Sequence, residues 1–183
     1  MAHVTRTTST STGCGLWPTK PRGVEASLCA GLVEQQGPPP FPAEWLDTVF
    51  LVPRPPAGWP EAFAIVTAHN PGSTAADADA NLRAERALRD WATGRGLACF
   101  DVTGASPDLR HREHGLGIAG LALGEVAALA RDLGQDGFFV VCGDQVLACV
   151  DASGRAWRIG SWSERLQRGG SSTKALATEA ERA

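Results

Sequence analysis

Residues 63–74 read FAIVTAHNPGST, and the passage from an apolar run through a turn into a helix decides the fold. The β-branched and aromatic residues at 63–67 predict a strand. Asn70 before Pro71 favours a turn, and Gly72 admits a positive φ. Thr74 and Asp77 stand at capping-box spacing, so a helix is predicted to open at Thr74. Ala80, Ala84, Leu88 and Trp91 then share one face at helical spacing. Glu85 with Arg89, and Arg86 with Asp90, are expected to decorate the outside before Gly94 and Gly96 end the helix.

Working outward, residues 48–52 (TVFLV) predict a strand beside 63–67, with a Pro-rich loop between them. Residues 97–102 (LACFDV) predict another, followed by a polar segment over 103–114 and a short Gly-rich strand at 116–119. A second helix is expected over 121–133, with Leu123, Val126, Ala127, Ala130 and Leu133 inward and Gly134 as its stop. Residues 138–142 and 146–150 flank Gly143-Asp144, a hairpin signal, and 155–159 forms a last strand. The order ββαββαβββ is too strand-rich for a doubly wound fold. It predicts an α+β domain, a mixed sheet of about six or seven strands with two main helices on one face.

The ends read differently. Residues 1–43 mix Thr, Ser, Gly and Pro without an apolar period and are expected to form a disordered or weakly ordered arm, with Trp17 and residues 28–33 its sticky points. Residues 163–183 are expected as a flexible tail, leaving a single α/β domain over 44–162.

Of 183 residues, 43% are hydrophobic and 20% charged, which suits a globular core and excludes disorder throughout. A net charge of −3 without long single-sign blocks leaves no footprint for nucleic acid. No apolar stretch approaches the roughly 18 residues of a membrane span, and the first residues lack a secretion signal, so a cytoplasmic protein is expected. The five cysteines are odd in number and lack CxxC, which indicates neither a disulfide framework nor a zinc knuckle. Cys99, Cys142 and Cys149 read as buried thiols.

The stretch from Thr67 to Ser73 (TAHNPGS), Asn81 in the next helix, and Leu133-Gly134-Gln135 before an apolar strand resemble the bacterial family called domain of unknown function 3293, over roughly residues 46–150. His69 stands where that family has an aromatic, and Leu133 where it has Phe. The resemblance implies no activity.

The turn at Asn70-Pro71-Gly72-Ser73 is the best candidate site, because a strand end beside a helix N-terminus offers N–H donors to a small polar or anionic ligand. Asn70, Ser73, Asn81 and Gln135 are the candidate ligand-binding residues. The plainer reading is a turn and cap, with Asn81 facing water and Gln135 bonding a loop carbonyl. His69 and Glu113 are the candidate catalytic pair, with His111 and His114 nearby in the polar segment. No metal set or cofactor motif is read, and no GxSxG or P-loop occurs. Trp157 and Trp162 with Arg155, Arg158 and Arg165 either form a surface patch that stacks a partner or pack on the sheet, the commoner fate. Three function classes follow: a small-ligand-binding or regulatory module first, then a hydrolase or metal-assisted enzyme using His69, Glu113 and the histidines, then a protein-interaction accessory.

Overall fold

A computed structural model describes residues 28–167. The chain forms β1 (Val33–Glu34), β2 (Val49–Leu51), β3 (Ala62–Thr67), α1 (Ala78–Gly94), β4 (Cys99–Ala105), β5 (Arg112–Ile118), α2 (Leu123–Asp132), β6 (Phe138–Cys142), β7 (Gln145–Cys149), β8 (Arg155–Ser161), α3 (Trp162–Arg165) and β9 (Leu166–Gln167), with single 3-10 turns at Ala43–Asp47 and Pro71–Ser73. The nine strands make one sheet in the order β1-β8-β7-β6-β3-β5-β4-β2-β9. The α+β class stands, and the strand count rises from the expected six or seven because β1 and β9 are two-residue strands too short to read from a pattern. Strand β2 pairs with β4 and β9 rather than with β3, its expected neighbour. The residues between β2 and β3 lead to the far side of the β4–β5 hairpin, which occupies the place beside β3.

The hairpin itself is longer than its sequence suggests. Glu113 pairs with Gly104 and His114 with Thr103, so most of the segment expected as a polar loop is strand. Arg112 and His114 are exposed and Glu113 is partly buried, and a strand whose polar residues fall on both faces shows no alternation to read.

Two cores follow from the alternation of strand side chains. On one face, Ala62, Ala64, Val66, Leu116 and Ile118 pack against Leu88 and Ala92 of α1 and Leu123, Val126, Leu129 and Ala130 of α2. Burying a side chain such as Leu88 contributes about 2 kcal/mol. The other face collects aromatics: Phe41, Phe50, Phe63, Phe100, Trp157 and Trp162. Phe50 of β2 meets Phe139 of β6 at 5.3 Å although β3, β5 and β4 lie between those strands. Four strand spacings of about 4.8 Å would keep them far apart on a flat sheet. The sheet is therefore curled around this aromatic layer. Trp157 and Trp162 are 8% and 4% exposed, so they pack on the sheet as the commoner reading held. Arg155, Arg158 and Arg165 bond Asp151, Glu34 and the Ile159 carbonyl.

Residues 28–43, expected in a weakly ordered arm, are packed: Leu28 is 1% exposed, Phe41 lies in the aromatic core, and β1 pairs with β8. Cys29 is bonded to Cys142, with Cα atoms 6.1 Å apart. That corrects the reading of Cys142 as a buried free thiol. A pairing across 113 positions has no local signature; the burial of Leu28 brings its neighbour to the end of β6. Cys149 is a buried thiol and Cys99 a partly exposed one. Residues 1–27 and 168–183, with most of the expected arm and tail, lie outside the described residues. Among the described residues no helix is long and apolar enough to cross a membrane.

Candidate functional site

The strand β3 ends at Thr67, and the chain turns sharply. Asn70 adopts the left-handed conformation (φ 51°, ψ 56°), as do Gly72 (φ 62°) and Ser73 (φ 53°). An Asn tolerates this region because its short side chain hydrogen-bonds locally. Here the Asn70 carbonyl oxygen accepts from the Ala76 N–H at 3.2 Å and from Asn81 Nδ2 at 3.1 Å. Its Nδ2 donates to Glu113 Oε1 at 2.9 Å, and its backbone N–H donates to Asn81 Oδ1 at 2.9 Å. Asn81 thus points at Asn70 rather than at water. Together the two amides and the Glu113 carboxylate hold the turn between α1 and β5.

The helix opens later than expected. Asp77, not Thr74, is the cap, and its carboxylate accepts from the Ala80 N–H at 2.7 Å. Thr74 instead closes the 3-10 turn, bonding the Gly72 carbonyl at 3.2 Å. Three residues separate Ser73 from the cap, so the N-terminus of α1 is shifted away from Asn70 and already holds an anionic group.

The loop after α2 completes the assembly. Gln135 Nε2 donates to the His69 carbonyl at 2.9 Å, the Gly72 N–H donates to the Gly134 carbonyl at 2.6 Å, and Ser73 Oγ donates to Asp136 Oδ2 at 2.6 Å. Gly134 has φ 68°, and a Cβ there would stand 3.0 Å from that of Pro71. A glycine is required both for that conformation and for that approach. The three sequence pieces that stand far apart in the chain therefore meet around one turn.

A second polar layer lies between α1 and the sheet. Glu85 and Arg89, expected on the outside, face inward: Glu85 Oε2 lies 3.4 Å from His69 Nε2, Arg89 lies 3.7 Å from Glu85, and Arg89 bonds Asp101 of β4. Burial works against the Arg89 charge, but the hydrogen bond and charge of Asp101 outweigh it and raise the guanidinium pKa. Arg54 reaches Asp101 from the solvent side at 3.4 Å. Asn81, Glu85 and Arg89 recur every four residues, one stripe of α1, and that spacing was the signal in the sequence that their side of the helix was not all solvent.

His114 projects from β5 toward His69, their ring centroids 5.6 Å apart. Thr103 Oγ1 lies 3.1 Å from His114 Nδ1, and Thr67 Oγ1 bonds both the His114 carbonyl (2.6 Å) and the His69 N–H (3.0 Å). Among the described residues no partner occupies His69 Nδ1 or His114 Nε2. Glu113, expected to work with His69, instead bonds Asn70 and lies 3.5 Å from His111 Nε2. Neighbouring residues of a strand point to opposite faces, so Glu113 and His114 diverge. The carboxylate beside His69 is that of Glu85. The roles of Thr67, Glu85, Arg89, Asp101 and Thr103 were not read from sequence.

Beyond Gln135, an open groove of about 410 Å³ runs between α2 and the β7–β8 turn, with Ala127, Arg131, Asp136 and Asp151 on its walls. Gln135 lines it, whereas His69, Asn70, Asn81 and Glu113 do not. Among the described residues no group of three His, Cys, Asp or Glu side chains is arranged to hold a metal ion. Thr67 spends its hydroxyl on the His114 carbonyl, and Ser73 donates its own to the Asp136 carboxylate, away from His69 and Glu113.

No curated protein and no solved structure matches the chain. A family model does, over residues 66–137, which hold the turn, α1, the β4–β5 hairpin, α2 and the Gln135 loop. Over those residues the chain is similar to the family described as Protein of unknown function (DUF3293).

Proposed function

We propose that this chain is a binding module for a small polar ligand, with His69 and His114 as the ligand-facing groups and the Asn70–Asn81–Glu113 assembly as their support. The observation that carries the reading is the pair of imidazoles 5.6 Å apart, each fixed by hydrogen bonds on its protein side and each with a ring nitrogen directed away from those partners. Such fixed donors and acceptors orient a ligand without ordering cost at the moment of binding. Glu85 beside His69 and Asn70 beside Glu113 engage the carboxylates and the amide, which leaves the two imidazoles as the groups that meet the ligand. The hydrolase reading is weaker because Glu113 bonds Asn70 and does not face His69.

The test is a thermal-shift panel of small amides, amines, alcohols and carboxylates against the wild type, His69→Ala and His114→Ala. A compound that raises the melting temperature of the wild type and of neither variant supports the module. A panel without any shift, or shifts that survive both substitutions, removes this site from consideration.

A further inference from the structure

We propose that Cys29 and Cys142 form a reversible redox latch that holds residues 28–35 along the β8 edge of the sheet. The non-covalent hold on this segment is small. Strand β1 is two residues long, and the flanking bonds run from the Val33 N–H to the Gly154 carbonyl and from the Gln35 N–H to the Ala156 carbonyl, both 2.7 Å. Glu34 and Arg158 add an ion pair at 3.0 Å whose side chains are 38% and 45% exposed, a contact of modest worth. Val33 is 61% exposed, so only Leu28 contributes deep burial. Ordering the segment costs backbone and side-chain entropy that these few contacts alone do not cover. The disulfide is what tips the balance.

The geometry of the seat is specific. Gly154 (φ 82°) lies so close under the segment that a Cβ there would meet the Gly31 carbonyl oxygen at 2.0 Å. The chain therefore settles against β8 in one position, and Cys29 meets Cys142 at the end of β6, beside the Gly143-Asp144 turn. Both cysteines are partly exposed at the margin of the core rather than sealed within it. Cys149 does not compete: burial pushes its thiol up to about 12, so it stays protonated.

Opening is thiol–disulfide exchange with a dithiol. A thiolate of the dithiol attacks one sulfur, the Cys29–Cys142 bond breaks with release of the other as a thiolate that takes up a proton, and the dithiol's second thiol, deprotonated, attacks its own partner sulfur, breaking the mixed disulfide and releasing the first cysteine as a thiolate that is protonated in turn. Two electrons pass to the protein, whose cysteines end as thiols, and the dithiol ends as a disulfide. The consequence is local: β8 loses its neighbour and becomes an uncovered edge.

The experiment uses the full chain, oxidised with glutathione disulfide or reduced with dithiothreitol, and reads amide hydrogen exchange together with cleavage after Glu34 by a glutamate-specific protease. Reduction should speed exchange at Val33 and Gln35 about tenfold or more while β3 and β5 amides stay protected. Cys29→Ser and Cys142→Ser should behave as the reduced protein without reductant. The proposal is overturned if Cys29 and Cys142 alkylate in the oxidised sample, if exchange at Val33 and Gln35 ignores the reductant, or if β3 and β5 lose protection with them. A reductant response that persists in the doubly substituted chain also overturns it.

Discussion

Asn70 offers the sharpest measurement, because a ligand-binding residue and a turn brace respond to substitution in opposite ways. As a surface ligand group, Asn70→Ala would leave stability within roughly 0.5 kcal/mol and remove only binding. The structure sets a different expectation. The side chain makes three hydrogen bonds, one of them to the Glu113 carboxylate. Net worths of about 1 kcal/mol for each neutral bond and about 1.5–3 for the charge-assisted one give about 3–5 kcal/mol, which partial solvent access reduces to about 2–3. Alanine in the left-handed region adds about 1 kcal/mol. The sum is about 3–4 kcal/mol, and at about 2–4 °C per kcal/mol for a chain of this size the melting temperature should fall by about 10 °C. Calorimetry on Asn70→Ala, Asn70→Gly and Asn70→Asp separates the contributions. Glycine keeps the positive φ without strain and should lose less than alanine by about 1 kcal/mol. Aspartate keeps the acceptor for Ala76 and Asn81 but sets a second carboxylate against Glu113. Repulsion raises a folded-state carboxyl pKa above its unfolded value, so that variant should be weakest near neutral pH and recover as pH falls toward about 4. Melting of Asn70→Ala within about 1–2 °C of wild type would refute the brace and restore Asn70 to the ligand.

Other consequences of the fold are as direct. Gly117→Ala would place a Cβ 2.2 Å from the ring of Phe100. It should destabilise by about 1–3 kcal/mol in denaturant titration, with partial recovery when Phe100→Leu is added, since the smaller side chain vacates the contact. Arg89→Met keeps the stem but strips Asp101 and Glu85 of a cation between helix and sheet; a loss of about 1–2 kcal/mol is expected, and no loss would show the layer to be dispensable. Cys149 should resist iodoacetamide in the native chain and react once the protein is unfolded, because its thiol is held up at about 12. By linkage, the thiol favours the folded state less as pH climbs from the ordinary thiol range toward that value, so stability attributable to it declines only in strongly alkaline solution. A Cys149→Ala chain that shows the same alkaline decline would assign that loss elsewhere.

What the sequence determined was local. The β-branched run before TAHNPGS, the four-residue recurrence of apolar side chains in α1 and α2, and Gly143-Asp144 between two apolar runs each carry their structure within a few residues, and the strand, the bodies of the two helices and the hairpin lie where those signals put them. The meeting of the separated pieces was legible as resemblance and not as contact. The start of α1 was misread because Thr74 and Asp77 both satisfy a capping pattern, and only the left-handed Asn70, Gly72 and Ser73 decide that the chain is still turning. Pairing was decided by tertiary structure. That β2 joins β4 and not β3, that Glu85 serves His69 while Glu113 serves Asn70, and that Cys29 reaches Cys142 all depend on which surfaces the curled sheet brings together. A periodic signal states which side of an element is apolar; which neighbour meets that side is set by burial summed over the whole chain, and no single segment encodes it.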